Sequence, residues 1–201
     1  DFMKLYNNSI YINTKDKTAQ YEMNHVIHTM VKRINKSYKR IAVICIGTDR
    51  STGDSYGPLV GYILSKYTIY SFDLYGTIYE PVHALTLEKT IYKIRQENTL
   101  VLAIDSSVGL SDYVGCIGLK YGAIQPGSGV GKNLPPVGDI AISGVVALSG
   151  FAPLIMLQSA SLGMVYKMAE KTAMAISYLL YKEQIETKGR TIERSAAFEE
   201  I

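Results

Sequence analysis

Thr99-Leu-Val-Leu-Ala-Ile104, followed by Asp105-Ser-Ser107, decides the fold. Five apolar residues in a row leave no face for water, so the run reads as a strand covered on both sides, the pattern of a parallel sheet. Arg40-Ile-Ala-Val-Ile-Cys-Ile46, ending at Gly47, has the same character. Between the two runs the chain reads as a helix from near Tyr56 to Pro58 onward through Leu64, with proline tolerated in its first turn. Short strands at Thr68 to Phe72 and Gly76 to Tyr79 and a helix from Leu85 to Gln96 follow. This alternation is that of βαβ units.

Working outward, Met23, Val26, Ile27, Met30, Val31 and Ile34 recur at three- and four-residue intervals and predict an amphipathic helix over Thr18 to Tyr38. Beyond Ser107 come a strand at Tyr113 to Lys120, a Gly/Pro-rich loop from Gly122 to Gly138 and a strand at Asp139 to Leu148. A long, largely buried helix is expected from about Pro153 to Lys182. The expectation is a single α/β domain over 1–184, with its core at 40–182, and a charged, mobile C-terminal tail over 185–201.

The 201 residues are 47% hydrophobic and 19% charged, and lack the run of about 18 apolar residues that would cross a bilayer. Membrane insertion is therefore not expected. The net charge of +3 is spread along the chain apart from the Lys32 to Arg40 stretch, which reads as a solvated helix face, so nucleic acid is not expected as a partner. Cys45 and Cys116 each lie in a strand-like run and read as buried thiols. With no signal-peptide pattern, a reducing cytoplasmic setting is expected.

In a parallel α/β sheet, ligands collect beyond the carboxyl ends of the strands. Two such ends are acidic here: Gly47-Thr-Asp-Arg-Ser-Thr-Gly-Asp54-Ser-Tyr-Gly-Pro58, and Ile104-Asp105-Ser-Ser107. Asp54 precedes a helix and reads equally as its N-cap. If the two carboxyls meet, they cannot both ionise easily, and a protonated acid beside an ionised base activates water by general acid/base chemistry. His83 follows a strand on the same edge; with Asp54 and Asp105 it would make a His-plus-carboxylate metal site, the alternative to a metal-free pair. His25 and His28 read as surface residues of the first helix. Pro126-Gly-Ser-Gly-Val-Gly-Lys132 fails the phosphate-loop pattern at Pro126 and Asn133, so a nucleotide is not expected. Gly127, Ser128 and Gly129 read instead as a substrate-binding wall beside the acids, with His83.

The stretches Cys45 to Pro58, Gly76-Thr-Ile-Tyr-Glu-Pro-Val-His83-Ala, Ala103-Ile-Asp105, and Gln125 to Lys132 with Leu134-Pro-Pro-Val-Gly-Asp-Ile140 resemble the YyaC family of sporulation proteins of endospore-forming bacteria. That family is similar to the spore germination protease, which degrades small acid-soluble spore proteins, and more distantly to the hydrogenase-maturation endopeptidases. The resemblance implies a three-layer αβα sandwich with a mostly parallel central sheet, of the phosphorylase/hydrolase-like, hydrogenase-maturation-protease-like kind. It matches Asp54-Ser-Tyr-Gly-Pro58 and Ala103-Ile-Asp105 to segments whose aspartates are implicated in peptide hydrolysis. It thus implies a sporulation-associated aspartic-type endopeptidase that uses Asp54 and Asp105 and no cofactor. Its substrate would be a protein or peptide, small spore proteins included, in the forespore or spore core. The hydrogenase-maturation enzymes bind nickel through acidic residues and a histidine. The alternative is thus a non-catalytic metal- or peptide-binding sporulation protein, with a divalent metal ion at Asp54, His83 and Asp105. A homo-oligomer stays open.

Overall fold

The computed structural model describes residues 3–6, 8–66, 70–94, 98–127, 134–150 and 152–199. The chain opens with an antiparallel hairpin of β1 (Met3–Tyr6) and β2 (Ser9–Asn13), turned at Asn8, whose φ of +60° asparagine tolerates. Then come α1 (Ala19–Arg33), β3 (Arg40–Cys45), a 3₁₀ turn (Gly53–Ser55) running into α2 (Tyr56–Leu64), β4 (Asp73–Tyr75), α3 (Leu87–Ile94) and β5 (Thr99–Gly109). The rest is β6 (Cys116–Tyr121), β7 (Ile140–Leu148), α4 (Pro153–Gln158) and α5 (Leu162–Glu199).

The strands form one sheet in the order β1-β2-β6-β7-β5-β3-β4. The half that carries the acidic segments, β4-β3-β5-β7, is parallel, and β6 with the hairpin extends it antiparallel beyond β7. Alternation along each strand divides the core into two layers. Val43, Cys45, Leu100, Leu102, Ile104, Ile140 and Ile142 pack against α1, α2 and α5 on one face. Ala42, Ile44, Ile46, Ala103 and Ala141 meet Leu87, Ile91 and Ile94 of α3 on the other. Each fully buried Leu or Ile contributes about 1.5–3 kcal/mol, which makes these two layers the main source of stability. The expected three-layer sandwich is observed. On the α3 face the described residues cover the parallel half of the sheet and leave the antiparallel half open.

Helix α2 lies unusually close to the sheet. A methyl group on Gly57 would fall inside van der Waals contact with the Ile46 carbonyl oxygen, and one on Gly144 of β7 would sit 2.7 Å from the Tyr56 ring. That ring is fully buried, and the Tyr56 hydroxyl shares a 2.7 Å hydrogen bond with Thr172 of α5, so it ties α2, sheet and α5 together. Both cysteines are buried and not joined in a disulfide, and burial pushes the Cys45 thiol pKa up.

Several expectations need correction. The hairpin of β1 and β2 was not expected. Residues 67–69 lie outside the described residues and 70–72 are not strand; the strand is Asp73–Tyr75. The expected strand at Gly76 to Tyr79 is a turn, since Gly76 has φ +91° and the Thr77 hydroxyl accepts the Tyr79 and Glu80 N–H groups. The expected single terminal helix is broken at Ser159-Ala160-Ser161: Ser159 Oγ donates to the Met156 carbonyl and Ser161 Oγ accepts the Met164 N–H. After that break α5 runs to Glu199, so residues 185–199 of the expected charged tail are helical, in keeping with their Glu, Lys, Arg and Ala content. Among the described residues no helix is long and apolar enough to cross a membrane.

Candidate active site

Asp105 is not at the end of its strand. Strand β5 continues through Ser106, Ser107 and Val108 to Gly109, because β7 goes on pairing with it past the apolar run, with a register shift between Ser107 and Val108. Alternation turns Ile104 into the core under α2, and therefore puts Asp105 on the opposite face, opposite Ser143 of β7. The residue is only 8% exposed.

Asp54 arrives from the other direction. After β3 the chain turns at Gly47, with φ +138°, and returns to the sheet as the 3₁₀ turn that runs into α2. The N-cap of α2 is Ser55, without a side-chain capping bond, so Asp54 is not the helix cap. Its backbone carbonyl accepts the Thr48 N–H at 3.1 Å, which fixes the loop, and its side chain is half-buried.

Ser106 joins the two acids. Its backbone N–H donates to Asp105 Oδ1 at 2.8 Å and its hydroxyl donates to Asp54 Oδ1 at 3.3 Å. The strand's alternation makes this fit: Ser106 faces the α2 side, where Asp54 stands, while its own N–H reaches the neighbouring carboxyl. Burial first, and then the charge of Asp54, raise the Asp105 pKa well above the usual carboxylate range, and the Ser106 N–H opposes that shift. No sequence motif singles out Ser106. A hydroxyl directly after an acid that ends an apolar run was the available signal.

The two acids open into a cleft of about 470 Å³. Its floor is the exposed face of the antiparallel half of the sheet, in one row across four strands: Asp105 stands opposite Ser143, Ser143 opposite Gly118, and Gly118 opposite Tyr11. A methyl on Gly118 would lie 2.9 Å from the Tyr11 ring, so its absence lets the ring lie over the sheet. Tyr113 packs on Tyr11 with ring centroids 4.6 Å apart, and Lys120, Gln125 and Leu110 complete the rim.

Of the expected wall, Gly127 lines the cleft, with φ +71°, and Ser128 and Gly129 lie outside the described residues. His83 does not line it. It starts α3 instead: its N–H donates to Thr86 Oγ1 at 3.1 Å, its carbonyl accepts the Thr86 and Leu87 N–H groups, and its Nδ1 accepts the Leu85 N–H at 3.3 Å. Asp54, His83 and Asp105 accordingly do not bring three ligand atoms within 4.8 Å of one another. The acids meet through Ser106 instead.

Comparison with known proteins follows the same lines. The family described as "Protein of unknown function (DUF1256)" matches residues 11–175. The chain is 38% identical over 169 residues to the uncharacterized protein YyaC of Bacillus subtilis (strain 168), covering 83% of this chain and 82% of that one. Among solved structures it is similar to the [NiFe] hydrogenase maturation protease HycI from Thermococcus kodakarensis KOD1, with a TM-score of 0.52 and 18% identity over 78% of this chain and 99% of that one. At that identity the likeness is one of fold.

Proposed function

The chain belongs to the DUF1256 family, and from that premise we propose that it is a peptidase in which Asp54 and Asp105 activate a water molecule against a peptide carbonyl. The observation that carries this reading is the Ser106 bridge between a half-buried and a buried carboxyl at the head of an open cleft. Ser106 makes the pair unequal. Its N–H occupies Oδ1 of Asp105, which leaves Oδ2 to hold the proton that burial favours. Its hydroxyl and the amino end of the helical run both favour negative charge on Asp54.

In the proposed reaction the Asp54 carboxylate takes a proton from water as its oxygen bonds to the peptide carbon, and the Asp105 carboxyl gives its proton to the carbonyl oxygen. When the tetrahedral species collapses, the C–N bond breaks, the nitrogen takes the proton held by Asp54, and the oxygen returns its proton to Asp105. Both groups end as they began. The sheet-face floor with Tyr11 and Tyr113 would carry the substrate chain. The fold shared with a maturation protease supports a hydrolase acting on a protein or peptide.

The test is cleavage of a proteome-derived peptide library, read by mass spectrometry, with the full chain and with its Asp54→Asn and Asp105→Asn variants. Each substitution is expected to slow cleavage by about 10²–10⁴-fold, the usual share of a positioned acid or base. Rates equal to that of the unaltered chain in both folded variants would refute the reading.

A further inference from the structure

Between α1 and α5, on the face of the sheet that α1, α2 and α5 cover, four ionisable side chains converge that the proposed hydrolysis does not use. His28 and Lys32 stand one turn apart on α1, and Glu183 and Glu186 stand one turn apart on α5, so each pair presents itself to the other helix. Lys32 Nζ is 2.9 Å from Glu183 Oε1 and also donates to Glu186 Oε2. The Tyr38 hydroxyl donates to Glu183 Oε2 at 2.9 Å, holding that carboxylate in place. His28 Nε2 lies 3.6 Å from Glu186 Oε1, and ligand atoms of His28, Glu183 and Glu186 all fall within 4.8 Å of one another. This is the trio, among the described residues, with metal-ligand spacing.

The arrangement is more than an ion pair. Two carboxylates converge on one ammonium, which leaves negative charge in excess. His28 Nε2 is shielded from solvent and has no hydrogen-bond partner. Protonated, it is an unmet donor, since 3.6 Å is too long for a hydrogen bond; unprotonated, its lone pair faces a carboxylate. A doubly charged cation resolves both problems, because it balances two carboxylates and accepts the imidazole lone pair. The pocket already holds a positive charge, because both carboxylates engage the Lys32 ammonium. Lys32 is 35% exposed on a flexible stem and can swing into water.

We propose that His28, Glu183 and Glu186 form a binding site for a first-row divalent cation accepted by imidazole and carboxylate together, as Zn²⁺ and Co²⁺ are, with Lys32 holding the site when the metal is absent. An ion bound there ties α1 to α5, helices separated in sequence by strands β3 to β7, and its binding free energy adds to the stability of the fold.

The experiment titrates the full chain with Co²⁺, followed by its visible absorption, and with Zn²⁺, followed by calorimetry. Saturation at a single site is expected, with a melting temperature that rises with metal concentration. His28→Ala and Glu186→Gln, checked for folding by circular dichroism, should each weaken binding by about tenfold or more, as loss of a ligand requires. Lys32→Met should do the reverse and tighten it by roughly tenfold, because a charged hydrogen-bond competitor is gone. The Asp54→Asn, Asp105→Asn double variant should bind as the unaltered chain does, which separates this site from the cleft. Absence of saturable binding at millimolar metal would overturn the proposal. So would binding that survives both His28→Ala and Glu186→Gln, weakens in Lys32→Met, or disappears with the two aspartates.

Discussion

Asp105→Asn isolates the energetic effect of the buried acid, because asparagine keeps a carbonyl oxygen to accept the Ser106 N–H and loses only the ability to ionise. Burial, reinforced by the Asp54 charge, places the folded-state pKa of Asp105 well above the usual carboxylate value. In the unfolded chain the same group titrates at about 3.9. Between these two values the folded chain holds one proton more than the unfolded chain, so stability falls by about 1.4 kcal/mol for each unit of rising pH. The contribution is complete below the unfolded pKa, declines through the window, and stops changing above the folded pKa. The asparagine variant has no such slope. Its advantage over the unaltered chain should therefore widen with pH at that rate and then level off, and the pH at which it levels is the folded pKa of Asp105. Urea unfolding followed by circular dichroism from about pH 4 to pH 8 measures both curves. Asp54→Asn, which removes the like charge, should move the levelling point to lower pH. Two curves that stay parallel across the whole range would refute the reasoning, since Asp105 would then be titrating alike in both states.

Ser106→Ala keeps the N–H bond to Asp105 and deletes the hydroxyl bond to Asp54, so peptide cleavage should slow by about tenfold, with Ser106→Thr restoring most of it. Equal rates for the alanine and threonine variants would remove Ser106 from the machinery. Gly57→Ala drives a methyl group into the Ile46 carbonyl oxygen and should lift α2 from the sheet, lowering stability by about 1–3 kcal/mol in urea unfolding. An unmoved unfolding midpoint would show that the helix does not sit as closely as described.

Strands β3 and β5, at the centre of the parallel half, were legible because they are unbroken apolar runs, from Ile41 to Ile46 and from Leu100 to Ile104. The same logic misplaced the end of β5: Asp105, Ser106 and Ser107 are polar, so the run stops there, yet β7 supplies backbone partners as far as Gly109. Pairing with a distant strand is a tertiary effect that local pattern does not carry. The hairpin escaped for a related reason. Ser9-Ile-Tyr-Ile-Asn13 alternates as a half-open strand should, and Asn7-Asn8 is a turn signal, but the segment is short and one face belongs to the cleft. His83 illustrates the opposite error. Its position after Val82, which bridges to Ile46, does bring it to the sheet edge, and the turn that starts α3 then takes its ring nitrogen for a backbone N–H. His28 looked like a surface residue because the carboxylates beside it, Glu183 and Glu186, lie more than 150 positions away in sequence, as the 154-residue separation of Lys32 and Glu186 illustrates.

Strand β7 is where the two halves of the sheet join, parallel to β5 on one side and antiparallel to β6 on the other. In the proposed reaction the proton-handling acids stand on the first side and the surface that would meet a substrate chain on the second. The acids and their serine come from the β3 and β5 segments, whereas Tyr11 and Gly118 come from the hairpin and β6. Inheritance can therefore act on the two separately. If the proposed reaction holds, changes confined to the outer antiparallel strands would retune which chain is accepted while leaving the proton-handling pair untouched, so proteins built on this plan could diverge in substrate without rebuilding the pair.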